Sequence, residues 1–347
     1  MRVSSASREG RPMKRGRINK TDLGNLFKAV SETTLCVGPI ADRVGVKLER
    51  LTADSLLELS YDNFRLSPKL WFFPRSEVIA AGEGAVLTAV PLAGPPTVLF
   101  GLRPCDAASL ELLDKIFLDE AYLDPYYKNR RENTTIVTLA CTEPDPACFC
   151  TSVGGGPGET AGSDVVVFDL GSEFLFEAVS DKGDAFLSQH EKLLAAPVAN
   201  NDAAKKAVIA AAEAKLKPLK TDDLSVRLTE LFDTPMWEAI GERCVGCGTC
   251  TYLCPTCHCF GITDEKAREN VQRIRTQDAC MFPQFTVEAS GHNPRATQGA
   301  RVRQRVMHKF SYAVDNVGET FCVGCGRCVS HCPVNIDIRE ILEEVAA

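Results

Sequence analysis

Hydrophobic positions along the chain alternate between helical and strand-like spacing. From residue 20, Leu23, Leu26, Phe27 and Val30 fall on one face, so an amphipathic helix is expected to begin at Lys20 to Asp22. Short apolar runs follow at 35–40 and 71–73, broken by turn residues, and Cys36 in the first reads as a small buried apolar residue. Thr97-Val-Leu-Phe-Gly-Leu102 is a continuous apolar run that ends in the loop Arg103-Pro-Cys105-Asp106. Residues 107–117 return to helical spacing through Leu110, Leu113 and Ile116, with Asp106 as the expected N-cap. After a polar loop containing Pro125, residues 134–140 form a second apolar run ending at Cys141. Strand, helix, strand predicts a βαβ crossover with parallel strands. Their carboxyl ends share the sheet edge where open α/β folds place ligands. Residues 164–170 and 173–179 then read as a hairpin around Gly171-Ser172.

Farther on, 203–216 is alanine-rich and 222–232 follows Pro218, giving two connecting helices. Pro294 is placed to start a helix with Val302, Val306 and Phe310 on one face and Arg301, Arg305 and Lys309 elsewhere. That basic face either stays solvated, offsets negative charge inside the fold, or receives an acidic partner. Asp337 caps a last helix reaching Val345. The expected fold is thus a basic flexible tail at 1–17, a mixed α/β domain with a βαβ unit at 18–200, a helical connector at 201–235, and an α-helical ferredoxin-like domain at 236–347.

That last domain opens on cysteines. Cys244, Cys247, Cys250 and Cys254-Pro255 have the spacing C-x2-C-x2-C-x3-C-P, and Cys322, Cys325, Cys328 and Cys332-Pro333 repeat it. This is the bacterial-ferredoxin signature of cubane 4Fe-4S clusters, in which the fourth cysteine of each run ligates the other cluster. Cluster 1 is therefore assigned to Cys244, Cys247, Cys250 and Cys332, and cluster 2 to Cys322, Cys325, Cys328 and Cys254. Gly246, Gly248, Gly324 and Gly326 permit positive φ, letting N–H groups approach the sulfurs. Structural zinc prefers two ligand pairs across a longer loop, and a chain of 347 residues needs no disulfide staples.

Composition narrows the setting. The 39 basic and 46 acidic residues leave a net charge of −7, which argues against general nucleic-acid or anionic-membrane binding. Prolines break the longest apolar runs, so no transmembrane segment is expected. Sixteen cysteines imply a reducing cytoplasm. The basic exception is Arg2, Arg8, Arg11, Lys14 and Arg15, with no apolar segment behind them; a disordered tail, or a start at Met13, is the default reading.

The βαβ unit brings Cys105 and Cys141 to one sheet edge, and the following loop adds Cys148 and Cys150. A third 4Fe-4S cluster on these four is expected, near the positive end of the helix after Cys105; the alternatives are unligated buried thiols or zinc. The glycine-rich stretch 154–158 lacks both phosphate-loop patterns and reads as a flexible loop beside these cysteines. Trp237 covers cluster 1 or is an ordinary core aromatic. Cys257, Cys259 and Cys280 read as buried thiols near the clusters, with a metal site including a histidine as the alternative. His292, His308 and His331 receive no role.

Gly-Leu-Arg-Pro-Cys105-Asp, Cys141 with Cys148-Phe-Cys150, Cys254-Pro-Thr-Cys257-His-Cys259-Phe, Arg303-Gln-Arg-Val-Met-His308-Lys-Phe310 and the second cysteine run together resemble the beta (iron-sulfur) subunits of cytoplasmic sulfhydrogenases. The chain is also similar to the corresponding iron-sulfur component of anaerobic sulfite reductase, from about residue 18 to the end. The resemblance implies an electron-conducting subunit in a hetero-oligomer, beside a flavin-containing, NAD(P)-binding subunit and a catalytic or electron-bifurcating one, and it adds support to the third cluster. It points to single-electron transfer without bond-making chemistry on this chain. Two other readings are a redox-sensing regulator, which lacks a recognisable output module, and a sulfur-reducing site near Cys257, Cys259 and Cys280.

Overall fold

A computed structural model describes residues 13–347, apart from 53, 54, 85 and 93. Of the expected tail, residues 1–12 lie outside the described part, while Arg15–Asn19 form strand β1. The chain thus enters the sheet before residue 18, with β1 paired antiparallel to the strand at Glu173–Ala178.

Helix α1 (Leu23–Ser31) buries Leu23, Leu26, Phe27 and Val30, the face the spacing predicts. Strands β2 (Leu35–Asp42), β3 (Gly45–Arg50), β6 (Thr97–Leu102), β7 (Thr134–Leu139), β8 (Val165–Asp169) and β9 (Glu173–Ala178) complete a seven-stranded sheet in the order β1-β9-β8-β7-β6-β2-β3. Its centre is parallel: β2 with β6, β6 with β7 and β7 with β8. The βαβ unit is present, with helices α2 (Pro104–Phe117) and α3 (Pro125–Glu132) between β6 and β7, and the β8–β9 hairpin is present too. Apolar residues of β6, β7 and β8 are buried on both faces, as a parallel sheet requires.

Two boundaries differ from the sequence reading. Helix α2 starts at Pro104, with Arg103 as N-cap, so Asp106 lies inside the first turn. Proline at the first helical position needs no N–H partner and has φ already set. Conversely, α9 (Gln298–Met307) starts four residues past Pro294, because Thr297 supplies the side-chain acceptor that caps Ala300 N–H.

Helices α4 (Asp181–Gln189), α5 (Asn201–Glu213) and α6 (Leu224–Glu230) lead to α7 (Met236–Arg243) and the short α8 (Thr249–Tyr252) in the first cysteine run. The insert that follows is not only helical. Strands β10 (Phe260–Ala267) and β11 (Asn270–Gln277) form a hairpin that joins β4 (Ser76–Glu83) and β5 (Val86–Ala89) in a second, antiparallel sheet, ordered β10-β11-β4-β5. Nearly all of the hairpin is solvent-facing, so it carries no apolar alternation; its pairing with β4 defines it. Buried Arg275 fastens the hairpin to Glu77 and Asp124. After α9 the helix widens into a π turn (His308–Tyr312) and continues as α10 (Ala313–Val317); α11 (Arg327–Ser330) and α12 (Ile338–Ala346) finish the chain, with Asp337 capping α12 as expected.

Candidate metal centres

Both cysteine runs fold into the same loop. Gly246, Gly248, Gly324 and Gly326 have φ of 65°, 72°, 63° and 72°, each run turning left-handed twice before a single-turn helix. In the first centre, Cys244, Cys247 and Cys250 wall one cavity together with Cys332 and Cys328 from the other run. Gln298 donates to Cys244 Sγ at 3.2 Å and the Ile336 N–H to Cys332 Sγ at 3.2 Å. Cys247 is the one exposed cysteine of the sixteen.

In the second centre, Cys322 and Cys325 each lie close enough to Cys254 and to Cys328 for their charges to act on one another. Lys309 Nζ donates to Cys254 Sγ at 3.2 Å and to the Phe321 carbonyl at 3.0 Å. Burial pushes the Cys250 and Cys325 thiols up to about 11 and Cys322 to about 12. Cys254 is instead held well below the thiol range, by hydrogen bonding from Cys257 and by the Lys309 and Lys69 charges.

In the third centre, Cys105, Cys141, Cys148 and Cys150 line a single cavity at the carboxyl edge of β6 and β7. Cys105 sits in the first turn of α2, nearer the positive end than an Asp106 cap would place it. The motif arginine ties the edge together: Arg103, buried, donates to the Tyr61, Asp62 and Ala140 carbonyls and stacks over the Tyr61 ring at 3.8 Å. Asn63 reaches the Cys325 carbonyl at 2.9 Å and lies 3.8 Å from both Cys105 Sγ and Cys148 Sγ. Gly156 and Pro157 wall the cavity, and the Cys141 N–H donates to the Pro157 carbonyl at 2.9 Å, so the glycine-rich stretch is part of this wall.

The second and third centres touch. The Phe149 N–H donates to the Gly324 carbonyl at 2.8 Å, and Cys325 lines the third cavity. A Cβ on Gly324 would come within 2.5 Å of the Cys150 backbone. Arg327, 1% exposed at its side chain, pairs with fully buried Asp106 at 2.8 Å, next to Cys105.

The basic stripe on α9 and the π turn faces inward. Arg301, Arg305 and Lys309 are all buried, at 7%, 7% and 4% exposure. Arg301 holds Gln298 at 2.6 Å, and Gln298 in turn meets Cys244. Arg305 lines the first cavity, and its Nε and Nη2 have no hydrogen-bond partner. A desolvated guanidinium without a partner requires an anion nearby. Anionic thiolate-ligated 4Fe-4S clusters fit these donors and this charge.

The sequence reading left the direction of the basic stripe open and missed two of these residues. The i, i+4, i+8 spacing of Arg301, Arg305 and Lys309 marked one helix face but not its direction. Asn63 and Lys69 carried no signal, being brought to the cysteines by tertiary contacts alone. Trp237 is buried with Ile240, Val302 and Val306, its Nε1–H on the Leu231 carbonyl at 2.8 Å, so it packs the core behind the first centre.

Among the described residues no helix is long and apolar enough to cross a membrane. Residues 243–336 match the family of 4Fe-4S dicluster domains. Over 323 residues the chain is 33% identical to the beta subunit of sulfhydrogenase 2 from Pyrococcus furiosus, covering 92% of this chain and 94% of that protein. With that identity along nearly its whole length, the chain belongs to the iron-sulfur beta-subunit family of the sulfhydrogenases.

Proposed function

We propose that this chain is the electron-transfer subunit of a multi-subunit oxidoreductase, relaying single electrons between a flavin- and NAD(P)-binding subunit and a catalytic or electron-bifurcating subunit. Its ligand sets are Cys244, Cys247, Cys250 and Cys332; Cys322, Cys325, Cys328 and Cys254; and Cys105, Cys141, Cys148 and Cys150. When bound, 4Fe-4S clusters supply one-electron carriers whose potentials respond to hydrogen bonds and nearby charge.

The observation that carries this reading is the continuity of the three centres. The second cysteine loop seats its Gly324 carbonyl on Phe149 of the third centre, while its Cys332 reaches the cavity of the first. Gln298, Ile336, Lys309 and Asn63 place N–H donors at sulfurs, the kind of contact that tunes a cluster's potential. Arg305 and Lys309 offset negative charge in the interior. Cys247 gives the route an end at the surface, in a groove with Arg75 and Tyr252.

The test is anoxic purification of the chain at native expression level. It is expected to bring down a flavin-containing subunit and a catalytic subunit, and in that complex Cys105→Ser is expected to remove about four iron and four sulfide while leaving the ferredoxin pair. Recovery of the chain alone would refute the relay, and unchanged iron in the variant would remove Cys105 from the ligands.

A further inference from the structure

Beside the two ferredoxin loops lies another cysteine-lined cavity that none of the three centres uses. Cys257, Cys259 and Cys280 wall it with His258, His308 and Arg305. Cys257 and Cys259 leave the first loop just beyond Cys254-Pro255. Cys280 arrives from far along the chain, because the β10–β11 hairpin pairs Phe260 with Gln277 and so returns the chain to where it left. The Asp278 N–H then clamps the Cys259 carbonyl at 2.9 Å, and Cys259 and Cys280 wall the same cavity. The hairpin therefore closes this cavity.

Three further features mark it as a ligand site. First, His258 Nδ1 lies 3.0 Å from the Thr256 carbonyl. A carbonyl only accepts, so the ring proton sits on Nδ1 and Nε2 keeps a free lone pair, the arrangement usual for metal-bound histidine. Second, the buried Arg305 lines this cavity as well as the first, so an anionic group bound here would also face its unpartnered Nε and Nη2. Third, the π turn sits at this wall, carrying His308 with its ring centroid 5.4 Å from that of His258, and π turns recur at functional sites.

We propose that Cys257, Cys259, Cys280 and His258 bind a fourth iron-sulfur cluster of the 4Fe-4S type. Three thiolates and one neutral imidazole would leave it less negative than a four-thiolate cubane, favouring the reduced state. Cys280 lies within electrostatic reach of Cys250 of the first centre, and Cys257 of Cys254 of the second. The site is thus placed to exchange single electrons with both. Among the described residues no three His, Cys, Asp or Glu side chains are grouped to hold one ion, here or at the ferredoxin loops. The set is independent of Cys105, Cys141, Cys148 and Cys150.

The full-length chain, purified anoxically, is assayed for iron, acid-labile sulfide and zinc. The expected content rises from about twelve iron to about sixteen, at four per cluster. The variant Cys257→Ser/Cys259→Ser/Cys280→Ser is expected to lose about four iron and four sulfide and one paramagnetic signal in a redox titration, retaining the other twelve. Unchanged iron and sulfide, or loss of one zinc with iron intact, would overturn the proposal. If the triple variant fails to hold its other clusters, His258→Ala is read instead. It is expected to shift the signal and potential of one centre, and an unaltered titration would overturn the ligand set. Cys105→Ser removes a different four iron, so the two assignments fail separately.

Discussion

At the scale of single residues, the interior is organised by buried cations that answer to sulfur. Arg305 and Lys309 are both buried, and the negative charge of cysteine thiolates around them holds their charge against the cost of burial. Arg327 answers to Asp106 instead, and its guanidinium is held well above its usual range. The pair has 1% and 0% side-chain exposure, and Arg327 Nη1 and Asp106 Oδ1 have no hydrogen-bond partner. Removing one member strands the other without water. Asp106→Ala is therefore expected to destabilise the folded chain by about 3–5 kcal/mol. Asp106→Ala with Arg327→Met is expected to recover much of that loss, because an apolar pair leaves no buried charge. Anoxic chemical denaturation of the two single variants and the double variant gives the coupling directly; additive losses would mean the pair carries no such burden.

At the scale of elements, the two left-handed glycines in each cysteine loop serve different ends. Gly246 and Gly248 face side chains, Gln298 and Phe282. Gly324 and Gly326 face backbone, at Cys150 and Ala147, so the second loop is pressed against the third centre. Gly324→Ala places a Cβ at φ +63° and 2.5 Å from Cys150. The φ alone costs about 1–2 kcal/mol, and the clash must separate the two loops. The expected result is perturbed signals from the second and third centres with the first unchanged, read by electron paramagnetic resonance; disturbance of the first alone would contradict the contact. This docking could not be read from sequence, since it joins residues 324 and 150 through tertiary packing. What was legible had local causes: the apolar face of α1, the βαβ unit, the β8–β9 hairpin and the positive φ of the loop glycines. The β10–β11 hairpin was hidden because its strands face water and are paired by β4, far upstream. The inward turn of Arg301, Arg305 and Lys309 was hidden because a charged stripe looks the same facing solvent or buried sulfur.

At the scale of the whole molecule, burial of the cysteines is graded. Cys247 is exposed, whereas Cys325 and Cys148 are buried, at 8% each. The second centre lies between the first, at the surface groove, and the third, at the sheet edge under Asn63 and the glycine-rich wall. Access of small oxidants should be greatest at the first centre, because attack on iron or sulfide requires contact, and the folded interior admits little solvent. Controlled exposure of the anoxic protein to ferricyanide or air is thus expected to remove about four iron first, from the Cys247 centre, with the other signals persisting. The sequence of loss can be followed by iron release and by the paramagnetic spectrum at timed quenches. A partner docked over the groove beside Arg75 and Tyr252 would slow that first phase without changing the later ones. Simultaneous loss of all centres, or loss of the Cys105 centre first, would mean that the surface end of the route is elsewhere.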